Sequence, residues 1–354
     1  MIIGTCGFGS TGSSVVSDYL KEFDTFQVMD NIEITWVSLV DGLIDLDFHV
    51  NIPHGRTTDS INAIARYRQL CKKKMKSYKK MGLSPQAFEK SVNDFLDSII
   101  QTKWMWTNNS TLSKNILDSI LRRIIIRSGI ISKWEIKNGR HWTWYPFEEV
   151  GLSVKPDNFS EAAKKHIHEM LVGMGAEYSR PIVLDQAFSG PNPQSCMKYF
   201  EDAYAIVVDR DPRDIFVFGR TRLLGRLPHL MPIDNVKDFV VYYRVLRKNQ
   251  PYTQPDERIL NLRFEDLVYH YDEATKQIRE FLNLPNNPNP KSIFDPAISM
   301  SNTQVWKRFP QFSKEIEYIE KELPEYLFDF SGCPLPDPNG KMFHGKSPKN
   351  RKKK

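Results

Sequence analysis

The sequence predicts an α/β fold in which a parallel sheet lies between layers of helices. Three short apolar runs, residues 1–6, 181–184 and 203–208, are too continuous for surface strands and are typical of strands buried in a parallel sheet. A fourth run, residues 258–262, is more mixed. Each run is followed by a polar or glycine-rich turn and then by a helical pattern, which is the order of elements in βαβ units. We therefore expect a three-layer α/β domain.

The chain between residues 51 and 173 has a different character, because it is helical in pattern and rich in aromatic residues. Residues 66–80 contain eight basic residues and no acidic one. We interpret residues 51–173 as a helical insertion that forms a cap beside the sheet, within a single domain of residues 1–344. The basic run is either a solvated face or a binding patch. The tryptophans of this stretch either pack in a core or recognise a substrate: Trp104, Trp106, Trp134, Trp142 and Trp144.

The formal net charge of +6 is concentrated at the end of the chain. Residues 345–354 carry six basic residues and no acidic one, and the rest of the chain has 43 of each sign. A neutral body argues against a protein that coats nucleic acid. We expect the tail to be disordered and mainly solubilising. Weak contact with an anionic surface is the other interpretation of the tail.

The four cysteines are scattered, with no C-x-x-C pair and no histidine at metal-ligand spacing. This usage disfavours a disulfide framework and a zinc site, and it fits a reducing compartment. The N-terminus lacks the charged and apolar regions of a signal peptide, and no apolar stretch is long enough to span a bilayer. We therefore expect a cytoplasmic protein.

The strongest motif is the sequence GFGSTGSS at residues 7–14, between the first strand and the first helix. Glycines let the backbone curl until several N–H groups converge on one point, and the helix N-terminus and the hydroxyls add further attraction for an anion. The spacing is that of a Walker A loop, with Ser13 at the position of the lysine. Because kinases and ATPases use that lysine during phosphoryl transfer, the loop is expected to bind phosphate without being a good NTPase.

Two further motifs follow predicted strands. The sequence RDPRD at residues 210–214 delivers Arg210 and Arg213 to the carboxyl edge of the sheet, where open α/β sheets bind ligands. The planar guanidinium group suits a phosphate. Pairing of these arginines with Asp211 and Asp214 is the alternative. The third motif, ILNLRFEDL at residues 259–267, predicts a strand, a turn and a helix.

The order and spacing of these three motifs resemble the sulfotransferase family, whose members use 3′-phosphoadenosine 5′-phosphosulfate (PAPS). The resemblance spans residues 1–284 with the insertion unmatched, and residues 301–308 are similar to a late segment near the nucleotide in that family. It implies that Arg210, aided by Lys307 or Arg308, holds the 3′-phosphate of the donor. It also implies that the loop holds the 5′-phosphosulfate through Gly9, Ser10, Thr11, Gly12, Ser13 and Ser14.

The sequence departs from the family pattern at two positions. Ser10 stands where the family has a basic residue that neutralises the leaving oxygen, so Ser10 takes the place of a catalytic residue. Phe218 stands where the family has a serine, and Thr221, one helical turn later, could supply the missing hydroxyl.

The family also places a general base after the first helix and the next strand, and Glu33 lies at about this position. The resemblance therefore implies that Glu33 removes the proton of the acceptor hydroxyl. His49 and His54 are the rival bases, and an ordinary surface role for Glu33 is the alternative.

The sequence as a whole predicts a P-loop-like sulfotransferase that transfers a sulfuryl group from PAPS to a glycan, a lipid or a small alcohol. It predicts no metal and no nucleic-acid partner. A P-loop kinase or NTPase is an alternative, because the sequence IVLD at residues 182–185 resembles a Walker B strand. A non-catalytic nucleotide-binding protein is another.

Overall fold

The computed structural model describes residues 1–31, 33–52, 56–106, 120–121, 124–125, 127–139, 148–223, 231–248, 256–337, 340 and 342. The chain divides into two compact units. The first unit consists of Met1–Ser38 and Leu171–Lys354, and the second of Leu39–Met170.

The elements are numbered in chain order. The strands are β1 (Ile2–Gly7), β2 (Gln27–Met29), β3 (Thr102–Trp106), β4 (Glu148–Leu152), β5 (Ile182–Asp185), β6 (Ala203–Asp209) and β7 (Ile259–Arg263). The α-helices are α1 (Ser14–Leu20), α2 (Leu43–Asn51), α3 (Thr57–Tyr78), α4 (Pro85–Ile99), α5 (Ile130–Asn138), α6 (Phe159–Gly173), α7 (Gln194–Met197), α8 (Pro212–Phe218), α9 (Val236–Lys248), α10 (Phe264–Tyr269), α11 (Tyr271–Phe281), α12 (Pro296–Ser299) and α13 (Ser313–Glu322).

The first unit contains a five-stranded sheet in the order β2-β5-β1-β6-β7. Every neighbouring pair in this sheet is parallel. The prediction of a parallel α/β sheet is confirmed, and all four predicted strands are present. The edge strand β2 was not predicted, because three residues with only one fully buried side chain carry no readable pattern. Since the strands run in parallel, the carboxyl ends of β5, β1 and β6 meet at one edge of the sheet.

Helices α1 and α11 pack on one face of this sheet. Ile3, Val183 and Ile206 point to that face and lie in one apolar cluster with Tyr19 of α1 and Ile278 of α11. Because parallel strands are covered by helices on their faces, their sequences are continuous apolar runs rather than alternating ones. This packing places the loop between β1 and α1 at the carboxyl edge.

The start of α8 is held by a buried ion pair. The Asp211 carboxylate accepts hydrogen bonds from the backbone N–H of Arg213 at 2.9 Å and of Phe328 at 2.9 Å. It also pairs with the Arg213 guanidinium, at 2.9 Å from Nε and 2.7 Å from Nη2. The guanidinium lies 4.1 Å from the centre of the Trp306 ring and 2.8 Å from Glu320. Arg213 is therefore a structural residue, as the alternative interpretation of the RDPRD motif expected.

The second unit is built on α3, α4 and α6, with β3 and β4 paired as a separate antiparallel sheet. His166 lies buried at its centre, where its Nδ1 is 2.9 Å from Ser91 Oγ and its Nε2 is 2.9 Å from the Tyr67 hydroxyl. Its ring stacks on Phe95 with 4.9 Å between the ring centres. Burial lowers the pKa of His166 to about 4, so the ring is neutral and serves as a polar core residue.

The surface of the second unit exposes several of the features singled out in the sequence. Trp104, Trp106 and Trp134 are 37%, 53% and 43% exposed, so these three side chains are not core residues. Trp142 and Trp144 lie outside the described residues. No helix in the described part of the chain is long and apolar enough to cross a membrane.

Replacing Asp211 with alanine should lower the free energy of unfolding by about 3–5 kcal/mol, because the substitution leaves the buried Arg213 charge without its partner. Urea unfolding followed by circular dichroism measures this loss. Glu320→Ala removes the more exposed partner of the same arginine and should cost less than about 1 kcal/mol. Equal losses in the two variants would contradict the assignment of Asp211 as the main partner.

Candidate active site

A cavity of about 440 Å³ opens in the first unit at the carboxyl edge of the sheet. Its walls come from the loop after β1, Glu33, the end of β5, Arg210 and a segment that includes α12. The strand ends form one wall because they meet at this edge, as expected for a ligand site of an open parallel sheet. The sequence motifs therefore meet in one space.

The loop after β1 curls through three residues with positive φ: Gly9 at +85°, Ser10 at +58° and Gly12 at +86°. Gly12, with its positive φ, is followed by Ser13 in the right-handed helical region, at φ −56° and ψ −26°. Such a pairing turns successive N–H groups toward one concavity and is typical of a nest for an anion. At Gly12 a side chain is also excluded by packing, since a Cβ there would lie 2.6 Å from a ring carbon of Phe264. The glycine is required by both φ and packing.

The hydroxyl residues of the loop divide into two groups. Ser10, Ser13 and Ser14 line the cavity. Ser13 Oγ accepts a hydrogen bond of 2.7 Å from Gln186 Nε2, so its own proton can be donated to a ligand. Thr11 is buried beneath the loop, where its Oγ1 would be 2.1 Å from a Cβ placed on Gly7.

Arg210 is buried in the cavity wall and connects two segments. Its Nη1 donates to the backbone oxygen of Ser10 at 3.2 Å, and its Nη2 donates to the backbone oxygen of Asn302. The guanidinium carbon lies 5.0 Å from the centre of the Phe264 ring. Among the described residues that line the cavity, Arg210 is the one cationic side chain. These two hydrogen bonds join the loop after β1 to the segment that contains Asn302.

Glu33 and Asp185 are neighbours in the wall next to the loop. The backbone N–H of Ile34 donates to the backbone oxygen of Asp185 at 3.0 Å, which holds Glu33 beside the end of β5. Burial raises the pKa of Asp185 to about 6, and the nearby charges of Glu33 and Asp30 add to this effect. Asp185 therefore titrates in a range suited to proton transfer.

Three residues assigned to the nucleotide from the resemblance lie away from the cavity wall. The Thr221 hydroxyl donates to the backbone oxygen of Val217 at 2.7 Å, whereas Phe218 lines the cavity. Lys307 Nζ donates to Gln304 Oε1 at 2.6 Å. Arg308 Nη1 donates to the backbone oxygen of Gly340 at 2.9 Å. The structure thus brings the loop, Arg210 and Glu33 together but not these three.

The rival bases are placed differently from Glu33. His49 lies on α2 of the second unit, with its Nε2 at 3.6 Å from Asp45 Oδ1. His54 falls outside the described residues.

Sequence reasoning missed the wall formed by residues 293–302. Ile293, Phe294 and Ile298 contribute apolar side chains there, and Asp295 caps α12 by accepting from the Ala297 N–H at 2.9 Å. The available signal was the Asp295–Pro296 pair, which is typical of a helix start. That signal indicates local structure and carries no information about a ligand.

No family model matches the sequence, and neither does any curated protein. Solved structures with a similar fold include a sulfotransferase domain from the Synechococcus PCC 7002 olefin synthase, at 12% identity over 86% of both chains with a TM-score of 0.35. Another is sulfotransferase STF9 from Mycobacterium avium, at 14% identity over 95% of this chain and 76% of that one, with a TM-score of 0.33.

A third structure is a sulfotransferase domain from the curacin biosynthetic pathway, at 17% identity over 50% of this chain and 70% of that one, with a TM-score of 0.27. All three are sulfotransferases. The function proposed below rests on the residues of the chain itself.

Replacing Asp185 with asparagine should stabilise the protein at pH 7.5. Because the folded pKa of about 6 lies above the ordinary value of 3.8, the folded state binds more protons than the unfolded state between these values. Stability due to Asp185 is therefore lost as pH rises through that window. Allowing for solvent in the cavity, Asp185→Asn should gain on the order of 1–2 kcal/mol at pH 7.5 and nothing at pH 4.

Urea unfolding at the two pH values measures the difference. Asp24→Asn changes an exposed aspartate in the turn after α1 and should behave like the wild type at both. A lower stability of Asp185→Asn at pH 7.5 would show that the carboxylate is stabilised by its surroundings.

Proposed function

We propose that the chain is a sulfotransferase that moves a sulfuryl group from PAPS to a hydroxyl group of an acceptor. The observation that supports this function is the meeting of an anion-binding loop, Arg210 and the neighbouring carboxylates of Glu33 and Asp185 in the walls of one cavity, which Asp18 and Asp295 also line. The first two features suit a phosphorylated donor, and the carboxylates suit proton removal from an alcohol. A volume of about 440 Å³ is in the range of small-molecule sites.

In the proposed complex, the loop N–H groups and the hydroxyls of Ser13 and Ser14 hold the 5′-phosphosulfate of the donor. Arg210 holds the 3′-phosphate, because it is the one cationic side chain among the described residues of the wall and its guanidinium group suits a phosphate. Phe218, Phe264 and Phe294 line the cavity and offer apolar surface to a planar base.

In the proposed reaction, the acceptor oxygen attacks sulfur and forms the new S–O bond. The S–O bond to the 5′-phosphate breaks, and its electron pair stays on the phosphate oxygen. The Ser10 hydroxyl donates a hydrogen bond to this leaving oxygen, in place of a cationic side chain. Glu33 takes the proton of the acceptor hydroxyl. No step of the proposed reaction needs a bound metal.

A P-loop kinase or NTPase is the second candidate, because Asp185 ends β5 and lines the cavity as a metal-binding Walker B acid would. Two observations favour the sulfotransferase over it. Ser13 occupies the position of the Walker A lysine, and no described residue in the cavity wall supplies a lysine in its place. The negative charge of a nucleotide triphosphate would therefore lack its usual cation.

Adenosine 3′,5′-bisphosphate should raise the melting temperature of the full chain without magnesium, because a ligand that binds only the folded state stabilises it by mass action. Differential scanning fluorimetry with the bisphosphate, with ATP and with ATP plus magnesium distinguishes the candidates. If ATP with magnesium raises the melting temperature and the bisphosphate does not, the kinase replaces the sulfotransferase as the better proposal.

Arg210→Ala should weaken binding of the bisphosphate about ten- to a hundredfold, because it removes one charge-assisted bond to the 3′-phosphate. Adenosine 5′-phosphosulfate lacks that phosphate and should lose much less. Arg258→Ala, which removes an exposed arginine paired with Asp256, is the matched control. An equal loss for both ligands would mean that Arg210 acts only through the loop and residue 302.

Glu33→Gln should lower kcat by about 10²–10⁴-fold and leave donor affinity nearly unchanged, because the amide keeps the shape but cannot take the proton. Transfer of labelled sulfuryl to a panel of sugars, sterols and phenols measures turnover. His49→Ala should lose much less, and Glu257→Gln on the surface serves as the matched control. Normal turnover in Glu33→Gln would move the base to another residue.

A further inference from the structure

Four carboxylates line the cavity, and two of them have structural roles, since Asp18 pairs with Lys21 and Asp295 caps α12. The other two, Glu33 and Asp185, are neighbours, although removal of one proton needs only one. The backbone hydrogen bond from Ile34 to Asp185 fixes the two residues as neighbours, and the charge of Glu33 acts on Asp185. Both side chains line the cavity next to Ser13 of the loop. A second carboxylate beside the proposed base therefore calls for a separate role.

Asp185 has a hydrogen-bonding position that its described surroundings leave open. The Thr5 hydroxyl, opposite Asp185 in the ladder between β1 and β5, hydrogen-bonds the carboxyl and in turn lies 2.9 Å from Ser17 Oγ. In contrast, Asp185 Oδ1 has no hydrogen-bond partner among the described residues. Because buried polar atoms are nearly always paired, this open position needs an explanation.

The neighbouring groups do not supply the missing donor. Lys21 Nζ is engaged by Asp18 at 2.8 Å and by Asp30, so its charge is shared between two other carboxylates. Gln186 directs its Nε2 to Ser13 Oγ. Asp185 Oδ1 is buried in this conformation, and the broad terminal torsion of an aspartate lets the carboxylate rotate part of the way toward a donor inside the cavity.

We propose that Asp185 accepts a hydrogen bond from a second hydroxyl group of the acceptor, adjacent to the hydroxyl that is sulfated. This inference rests on the proposed function and specifies its acceptor. Hydroxyls on neighbouring ring carbons lie close together, so an acceptor with such a pair can offer one hydroxyl to each of two neighbouring carboxylates. The acceptor class is thus a vicinal diol, as in a sugar ring, in preference to an alcohol with a single hydroxyl.

The expected size of the preference for a diol over a single hydroxyl follows from the unpaired Oδ1 of Asp185. A site built to hydrogen-bond a substrate hydroxyl discriminates strongly against an analogue without it, because the protein group is then left unpaired. Since Asp185 is only partly enclosed, we expect a preference of about 10²-fold in kcat/KM, below the largest values known for fully buried sites.

The experiment uses the full chain, labelled PAPS and matched acceptors at pH 7.5. The pairs are a methyl glycoside with its deoxy analogue, trans-1,2-cyclohexanediol with cyclohexanol, and catechol with phenol. In any pair that is sulfated, the wild type should prefer the diol about 10²-fold in kcat/KM. Asp185→Ala should lose this preference by losing rate on the diol, and Asp24→Ala should retain it.

Three outcomes overturn the inference. Equal rates on diol and monohydric alcohol would leave the proposed function intact but remove the role of Asp185. A diol preference that persists in Asp185→Ala would also remove the role of Asp185. So would faster sulfation of trans-2-aminocyclohexanol than of the diol, because it would indicate a cationic acceptor. If no acceptor is sulfated although the bisphosphate binds, the proposed function itself fails.

Folding of the variant is checked separately through its melting-temperature shift with the bisphosphate, which should equal that of the wild type. Should Asp185→Ala fail this check, Asp185→Asn keeps the shape of the side chain and removes its charge. Asp185→Glu, which keeps the carboxylate, should retain more of the diol preference than either. Loss of the preference in Asp185→Glu to the same extent as in Asp185→Ala would contradict the role of the charge.

Discussion

The parallel pairing of β1 with β5 on one side and β6 on the other is the constraint on which the site depends. Ile2 is in register with Ile182 and with Ala203, so the three strands reach their carboxyl ends together. The loop after β1, Asp185 and Arg210 consequently emerge at one edge. Because register in a sheet is set by the burial of side chains on its faces, the apolar core also determines where the polar site forms.

The opposite wall of the cavity is held by α8 rather than by the sheet. The buried Asp214 carboxylate accepts from the backbone N–H groups of Gln304 at 3.0 Å and Val305 at 2.5 Å. Arg210, four residues earlier in the chain, donates to the backbone oxygen of Asn302. Two side chains of the RDPRD motif thus fix residues 302–305, while Asp211 and Arg213 fix the helix that carries them. The motif therefore builds this wall of the cavity through its structural contacts.

Burial of Asp214 raises its pKa to about 8, even though Arg210 and the N–H of Val305 act in the opposite direction. Burial also raises the pKa of Glu265, which accepts from the Asp211 N–H at 2.8 Å, to about 7. These acids lie beneath the site and take up backbone N–H groups that would otherwise be unpaired. Since such groups are costly to leave unsatisfied, the buried acids serve to position the cavity wall.

The sequence was sufficient to predict the parts of the molecule that depend on local pattern. The continuous apolar runs predicted β1, β5, β6 and β7, and glycine spacing predicted a loop whose φ values require glycine at residues 9 and 12. It could not predict the contact between Glu33 and Asp185, because this contact depends on a backbone hydrogen bond between residues 151 positions apart. Such a hydrogen bond joins main-chain atoms, so the residue types in the sequence do not reveal it.

The position of Thr221 was also beyond sequence reasoning. Counting one turn along a regular helix placed its hydroxyl near the cavity, but residues Gly219–Leu223 form a π-helical turn, which changes the phase of the side chains. The Thr221 hydroxyl instead satisfies the backbone oxygen of Val217. Phe218 therefore lines the cavity where a hydroxyl was expected.

The charges of the cavity are separated in a way that suits the proposed transfer. In the proposed complex Arg210 and the loop attract the donor, and Glu33 and Asp185, which line the same cavity, place negative charge beside the group that moves. Burial raises the pKa of Asp185, and the negative charges of Glu33 and Asp30 add to this effect, so Glu33 and Asp185 repel each other. When a carboxylate takes the acceptor proton, the repulsion falls while negative charge builds on the leaving phosphate oxygen. An interaction that is unfavourable in the ground state and relieved in the transition state accelerates the reaction, because only such differences between the two states affect kcat.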